Sequence, residues 1–200
     1  MSRRRQHVIE KDDAITFETV GPVRGQVELI VNEEHFERVV KDGIMRADRS
    51  LDISTADFKA MLIPKDRRNA DSIVEVFRQL ADRGVEIRVL HAGVPSSAAL
   101  DELRCVLPKN MTIRRCPRLH AKAVIVDCQK MYLGSANLTG AGLGAKSNKR
   151  RNFELGVWTE SPEMIDGVLQ HFNALWEGHH CESCGRHDVC PTPLEEPDLG

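Results

Sequence analysis

The sequence predicts an α/β fold in which helices flank a mixed β-sheet. Short runs of aliphatic and β-branched residues alternate with segments whose apolar residues recur at helical spacing, and the alternation extends over 25–177. The chain has 200 residues, which suffices for one ordinary domain and a small appendage. We therefore predict a polar extension (1–24), an α/β domain (25–177) and a Cys/His-rich tail (178–200).

The predicted strands are short apolar runs bounded by turn residues. One β-rich stretch, 15–20, lies in the polar extension. The strands of the domain cover 26–31, 51–56, 85–90, 111–115, 119–128, 130–136 and 153–159, and 61–63 extends or follows the second of these.

Four helices are predicted between these strands. Asn32 is expected to cap the first and Ser161 the last, because short polar side chains accept hydrogen bonds from the free N–H groups of a helix start. Gly84 stands where the second helix should end, and Pro108 ends the third. The apolar face of the first helix carries Phe36, Val39, Val40 and Ile44; the others cover 71–83, 96–106 and 162 to about 176.

Charge and hydropathy exclude several classes of protein. Lys and Arg total 28 and Asp and Glu total 30, so the chain does not coat nucleic acid by bulk positive charge, although a local basic patch is compatible with this balance. No apolar run reaches the roughly 18 residues of a transmembrane helix, and no apolar stretch follows the basic N-terminus as in a secretory signal. We expect a cytoplasmic protein without membrane association, whose six cysteines are thiols or metal ligands.

One stretch concentrates polar residues of catalytic type in the pattern H-x-K-x4-D-x6-G-S-x-N. On an extended strand, His120 and Lys122 point to one face and Asp127 to the other. If the next strand returns as a hairpin across 128–130, Ser135 and Asn137 come back to the end that holds His120. An imidazole, an ammonium, a hydroxyl and an amide then form a phosphate-binding set that includes a nucleophile.

This pattern resembles the HKD signature of the phospholipase D superfamily, and Asn152-x-Glu154 resembles the strand that follows the signature in many members. The resemblance covers 25 to about 177 and implies an α-β-α sandwich. It implies that His120 attacks phosphorus and forms a phospho-histidine, while Lys122 and Asn137 bind the phosphoryl oxygens and Ser135 adds a contact. Such preplaced donors stabilise the charge that develops in the transition state.

The resemblance also assigns the two carboxylates that accompany the motif. Glu154 is implied to accept a hydrogen bond from an imidazole and to fix its tautomer. Asp127 belongs to the catalytic signature, but its place on the opposite strand face favours a structural role.

The superfamily's chemistry needs two histidines, one to attack and one to protonate the leaving oxygen, and this chain has a single motif. The resemblance to short bacterial nucleases therefore implies a homodimer with the active site at the two-fold interface, and catalysis without a metal cofactor. The layout is also similar to the phospholipase D-like member of bacterial DNA modification and restriction gene sets.

Basic residues around the motif favour nucleic acid, DNA first, as the substrate. Two other functions stay open: a phospholipid hydrolase or phosphatidyl transferase, and an inactive nucleic-acid-binding or scaffold protein on the same fold. The residues expected to contact phosphates are Arg118, Lys146, Lys149, Arg150 and Arg151, with Arg114 and Arg115 nearby.

The tail has the spacing of a metal-binding knuckle. Cys181 and Cys184 are separated by two residues, and Cys190 supplies a third thiol, which predicts a structural zinc. An iron–sulfur cluster and a disulfide are the rival interpretations. The tail is expected to dock on the domain, strengthen the dimer or recruit a further protein. The fourth ligand stays open among His179, His180 and His187, and Cys105, Cys116 and Cys128 are taken as incidental thiols.

Overall fold

The computed structural model describes residues 27–65, 69–105 and 107–199. The predicted extension, with its β-rich stretch at 15–20, lies outside these residues. The described strands are β1 (Val27–Val31), β2 (Ser50–Thr55), β3 (Leu62–Pro64), β4 (Ala70–Ser72), β5 (Glu86–His91), β6 (Met111–Arg115), β7 (Ala123–Val126), β8 (Lys130–Gly134) and β9 (Leu155–Thr159). The described α-helices are α1 (Ile73–Asp82), α2 (Ser97–Cys105) and α3 (Pro162–Trp176).

Seven strands form one sheet in the order β1-β9-β8-β7-β2-β5-β6. The pairs β2–β5 and β5–β6 are parallel, and all other neighbours are antiparallel, so the sheet is mixed as predicted. The segment 61–63 does not extend β2, since β3 pairs with β4 in a separate hairpin. The long runs 119–128 and 130–136 are shorter as strands than the sequence suggests.

Helices cover both faces of the sheet. On β7, Val124 and Val126 join the large core that includes α1, whereas Ile125 points the other way and packs with Ile165 of α3. Alternating side chains on a strand buried on both faces require such a three-layer arrangement. The α-β-α sandwich is confirmed, and within the described residues no helix is long and apolar enough to cross a membrane.

The helix caps follow the prediction at two positions and depart from it at one. Ser161 Oγ accepts a hydrogen bond from the Met164 amide at 3.4 Å, and Gly84 ends α1 with φ +95°. Asn32 is not a cap, because it lies in the left-handed region (φ 48°). A π-helix (Phe36–Lys41) and a 3₁₀ turn (Ile44–Arg46) replace the predicted first helix, and they still bury its apolar face.

The tail lies along the outer strand of the sheet. The Arg115 amide of β6 donates to the Glu195 carbonyl at 3.0 Å, and the Arg115 guanidinium meets the Glu195 carboxylate at 2.6 Å. Leu194 packs into the small core formed by Leu119 and Trp176. The predicted division at residue 178 is therefore not a break in packing.

Candidate active site

A hairpin assembles the site. β7 and β8 pair antiparallel, and beyond the last strand pair the Gly134 amide donates to the Lys122 carbonyl at 3.1 Å. This contact places Ser135 beside the segment that precedes β7. The predicted return of the chain is confirmed, but β7 begins only at Ala123, so His120 and Lys122 stand on the loop that enters the strand.

A turn explains this late start. The Leu119 amide donates to the Cys116 carbonyl at 2.9 Å, and the Cys116 amide donates to the His91 carbonyl at 2.8 Å. The chain therefore bends through Pro117 at the end of β5 and becomes a strand three residues after His120. Strand alternation does not apply there, and the face of His120 is set by this turn.

Lys122 holds the imidazole of His120. The Lys122 ammonium lies 3.2 Å from each ring nitrogen of His120 and donates to the His120 carbonyl at 2.8 Å. The Lys122 side chain is almost fully buried, at 8% exposure, and burial lowers its pKa against the opposing charge of Glu154. His120 itself is exposed. A buried donor beneath an exposed imidazole leaves the other side of the ring open to a substrate.

Asn137 is fixed by the end of β2. Its Oδ1 accepts hydrogen bonds from the backbone amides of Ala56 at 3.0 Å and Asp57 at 3.2 Å. Its Nδ2 amide has no hydrogen-bond partner among the described residues, so this group is available as a donor. The two backbone hydrogen bonds fix the orientation of the Asn137 amide, which supports the predicted contact between its Nδ2 and a phosphate oxygen.

Ser135 and Glu154 form a second polar pair at the same end of the sheet. Ser135 Oγ donates to Glu154 Oε2 in a short hydrogen bond, and Asn152 Nδ2 donates to Glu154 Oε1 at 2.9 Å. The Leu155 amide in turn donates to Ser135 Oγ at 3.1 Å. Among the described residues, the carboxylate of Glu154 thus contacts a hydroxyl and an amide, not the imidazole that the resemblance implies.

Asp127 lies at the opposite end of β7 from His120. Its carboxylate accepts hydrogen bonds from three consecutive backbone amides, Asp48, Arg49 and Ser50, at 2.7–3.2 Å. Asp127 therefore ties the hairpin to the start of β2. These contacts favour the structural role that strand alternation predicts for Asp127 over its inclusion among the catalytic residues.

Two positioning residues, Tyr132 and His35, carry no signal in the sequence. The buried Tyr132 hydroxyl accepts a hydrogen bond from the Ala136 amide at 2.8 Å, inside the loop that carries Ser135 and Asn137. Burial raises the pKa of Tyr132 above its usual range. His35 packs edge-on against Tyr132 at 5.2 Å, and burial lowers the pKa of His35. The contact between His35 and Tyr132 joins residues far apart in the chain, and no local pattern marks it.

A family model described as cardiolipin synthase, PLD-like domain, matches residues 40–176. The chain belongs to this phospholipase D-like family. No curated protein sequence matches the chain significantly.

Solved structures share the fold of this phospholipase D-like domain. Nuc from Salmonella typhimurium, a phospholipase D family member, has a TM-score of 0.55 at 21% identity over 77% of this chain and 95% of its own. NucT from Helicobacter pylori has a TM-score of 0.56 at 18% identity, over 77% and 97%. Phosphatidylserine synthase from Haemophilus influenzae has a TM-score of 0.51 at 16% identity, over 76% and 38%. The likeness concerns the fold, and both short chains are covered nearly end to end.

The basic residues of the phospholipase D-like domain divide into exposed and engaged groups. Lys146, Lys149 and Arg150 are exposed after the motif. Arg151 instead pairs with Glu33 at 2.9 Å and is mostly buried, so its predicted role as a free phosphate contact is not favoured.

The arginines before the motif are engaged with the tail and helix α3. Arg114 donates to the Trp176 carbonyl at 3.0 Å, and Arg115 binds Glu195. Arg118 Nη1 lies 3.6 Å from Cys184 Sγ, a hydrogen bond that raises the pKa of Arg118 and lowers that of Cys184. Of the two groups of predicted phosphate contacts, the basic loop after the motif is therefore the more accessible.

A cavity of about 280 Å³ lies between the tail and the turn that leads into the motif. His120 is among its lining residues, but Lys122 and Asn137 are not, so the cavity adjoins the phosphate-binding set without enclosing it. All six cysteines are free thiols, and the described residues contain no group of three His, Cys, Asp or Glu side chains already arranged to hold a metal ion. The predicted ligands lining the cavity are Cys181, Cys184, Cys190, His180 and His187.

Proposed function

We propose that this phospholipase D-like protein is a phosphodiesterase that cuts nucleic-acid phosphodiester bonds through a phospho-histidine intermediate. The observation that carries the proposal is the contact between the Lys122 ammonium and the His120 ring nitrogens at 3.2 Å. This contact lies at the end of the sheet to which the hairpin returns Ser135. An open imidazole above a buried ammonium supplies both a nucleophile and a donor for phosphoryl oxygens.

The proposed reaction proceeds in two steps. In the first, an imidazole nitrogen of His120 forms a bond to phosphorus while the bond to the leaving oxygen breaks, and a second imidazole gives that oxygen a proton. In the second, the second imidazole takes a proton from water, whose oxygen displaces His120 from phosphorus. Lys122 and the free amide of Asn137 stabilise the negative oxygens in both steps.

The second imidazole is proposed to be His120 of another copy of the chain. The sheet face formed by β9 and β1 supports this idea. Val27, Leu29 and Val31 project from the edge strand, with Leu29 63% exposed, and Leu155 beside them is 54% exposed. Helix α3 covers this face only as far as Leu133.

The exposed face continues to the site. Phe153, at 96% exposure, immediately precedes Glu154, whose carboxylate binds Ser135. An apolar sheet face of this kind is typically covered in a soluble oligomer. A second copy placed there would bring two copies of the site together, which is the arrangement that the single motif requires.

Two features favour nucleic acid as the substrate. Lys146, Lys149 and Arg150 form an exposed basic loop directly after the motif, where they can bind flanking phosphates. The chain also matches Nuc and NucT over nearly their whole length. Membership of a DNA modification and restriction gene set stays a prediction.

A phospholipid substrate is the second candidate. The matching family model is described by cardiolipin synthase, and phosphatidylserine synthase shares the fold over 76% of this chain. Both candidates use the same phosphoryl-transfer residues, so the substrate and not the mechanism separates them.

The experiment compares wild type with His120→Ala on end-labelled single- and double-stranded DNA and RNA and on phospholipid vesicles, in excess EDTA. Lys130→Ala, at the far end of the same hairpin, is the matched control. We expect nucleic-acid cleavage by wild type and Lys130→Ala, and a loss of at least 10³-fold in His120→Ala, in line with removal of a catalytic nucleophile. Turnover of vesicles alone would establish the lipid enzyme, and His120→Ala at full activity would refute the mechanism.

A further inference from the structure

We propose that Cys116, on the turn before the motif, is the fourth ligand of a structural zinc whose other ligands are Cys181, Cys184 and Cys190 of the tail. The four thiolates would join the tail to the segment that positions His120. The proposal does not depend on the substrate or the activity of the protein.

The first support is the placement of the sulfurs. Cys116 and the three tail cysteines line the same cavity of about 280 Å³, although 65 residues of chain separate Cys116 from Cys181. Cys116 also belongs to the small core under the tail. It is therefore not the incidental thiol that its isolation in the sequence suggests, while Cys105 and Cys128 are exposed elsewhere.

The second support is the backbone that carries these thiols. The Cys184 amide donates to the Cys181 carbonyl at 3.1 Å, and the Cys181 amide donates to the Gly178 carbonyl at 2.9 Å. Gly178 has φ +77°, and a side chain there would approach the Cys181 sulfur. Such a tight turn presents two sulfurs to one side, as a zinc knuckle requires.

The wall of the cavity opposite the tail is a short turn that contains Cys116. Cys116 is held by hydrogen bonds from its amide to His91 and from the Leu119 amide to its carbonyl. A tetrahedral site built from two facing turns is the common design of structural zinc centres. A third tail turn, in which the Val189 amide donates to the Arg186 carbonyl at 3.2 Å, brings the chain back to Cys190.

The third support is electrostatic. Four thiolates around Zn²⁺ carry a net charge of about −2, which needs nearby positive groups. Arg115, Arg118 and Arg186 line the cavity, and no carboxylate is among its described lining residues. The Arg118 guanidinium lies 3.6 Å from Cys184 Sγ, so one of these positive groups already contacts a proposed ligand.

Binding would require the four sulfurs to close on one point. No three metal-ligating groups among the described residues are already in coordinating positions, so rotation of the thiol side chains or a small shift of the tail must complete the site. A sulfur donor on the domain explains why the tail docks at this place. His180 and His187 line the same cavity and are the competing fourth ligands.

Zinc content of the full chain tests the assignment. We expect about one zinc per chain in wild type by elemental analysis, and in Cys116→Ser a zinc affinity lowered by at least roughly tenfold in chelator competition. Cys128→Ser is the matched control, because it removes an exposed thiol and should keep wild-type affinity. His180→Ala and His187→Ala should also keep it.

Two further measurements guard against misfolding of Cys116→Ser. Cys116→His should retain zinc through three sulfurs and one nitrogen, and its cobalt(II) form should show weaker sulfur-to-metal charge transfer than the wild type. Hydrogen exchange at 117–121 should rise in Cys116→Ser but not in Cys128→Ser. The assignment is overturned if Cys116→Ser binds zinc as tightly as wild type, if a histidine variant loses the metal, or if wild type holds iron or no metal after refolding with zinc.

Discussion

Asp127 is the residue of the motif whose structural role is most clearly distinguished from a catalytic one. Its carboxylate accepts hydrogen bonds from the amides of Asp48, Arg49 and Ser50. It also stands in the left-handed region at φ 55°, next to Cys128 at φ 56°, and the Gln129 amide donates to the Val126 carbonyl at 2.9 Å. Two consecutive left-handed residues form the tight hairpin turn between β7 and β8, for which Asp, Asn and Gly are suited.

Three substitutions of Asp127 separate the contribution of its hydrogen bonds from that of its left-handed turn. Asn keeps the turn and one acceptor oxygen, Gly keeps only the turn, and Ala keeps neither. Bonds to a charged acceptor contribute about 1.5–3 kcal/mol each, and partial exposure reduces this to about 1 kcal/mol here. A left-handed Ala adds about 1–2 kcal/mol. We expect losses in the free energy of unfolding of about 1 kcal/mol for Asp127→Asn, about 3 kcal/mol for Asp127→Gly and about 4 kcal/mol for Asp127→Ala.

Urea unfolding measures these losses, and cleavage assays on the folded fraction measure activity. Each kcal/mol corresponds to about 2–4 °C in Tm for a chain of this size. Because β7 separates Asp127 from His120, the activity of each folded molecule should stay within about twofold of wild type. An Asp127→Asn protein of native Tm that has lost more than tenfold in activity would refute the structural assignment.

Three further outcomes follow from the described contacts. Burial lowers the pKa of Lys122, so this side chain loses its proton at a pH below its usual pKa of 10.5. As the pH rises through the lowered pKa, phosphate binding should weaken, whereas folding stability should rise because the unfolded chain still holds the proton. Lys122→Arg keeps its charge over this pH range and should bind phosphate throughout it. Gly156→Ala should destabilise by about 2–3 kcal/mol in urea unfolding because the new Cβ overlaps the Tyr132 ring, whereas Gly185→Ala, with open space, should not. Leu29→Asp should convert a dimer to a monomer in light scattering and abolish cleavage, whereas Val94→Asp, at an equally exposed loop position, should do neither.

Much of the fold could be predicted because it rests on local patterns. The alternation of apolar runs and helical segments predicted the seven strands of the main sheet and the three α-helices in their order, but not β4. The caps at Ser161 and Gly84 are local chemistry. The prediction failed where distant residues compete. Asn32 has the side chain of a helix cap, but its Oδ1 accepts from the Glu154 amide at 3.2 Å, far along the chain.

The sequence by itself determined the mixed α/β architecture and the hairpin that brings Ser135 back to the end holding His120, because spacing along two adjacent strands fixes which ends meet. Tertiary structure alone decided which polar groups have partners. The folded chain pairs three arginines with other elements, namely Arg114, Arg115 and Arg151. The Ser135 hydroxyl donates to Glu154, and Cys116 lines the same cavity as the tail. Hydrogen bonds, ion pairs and shared cavities between residues far apart depend on packing geometry, which no local pattern encodes.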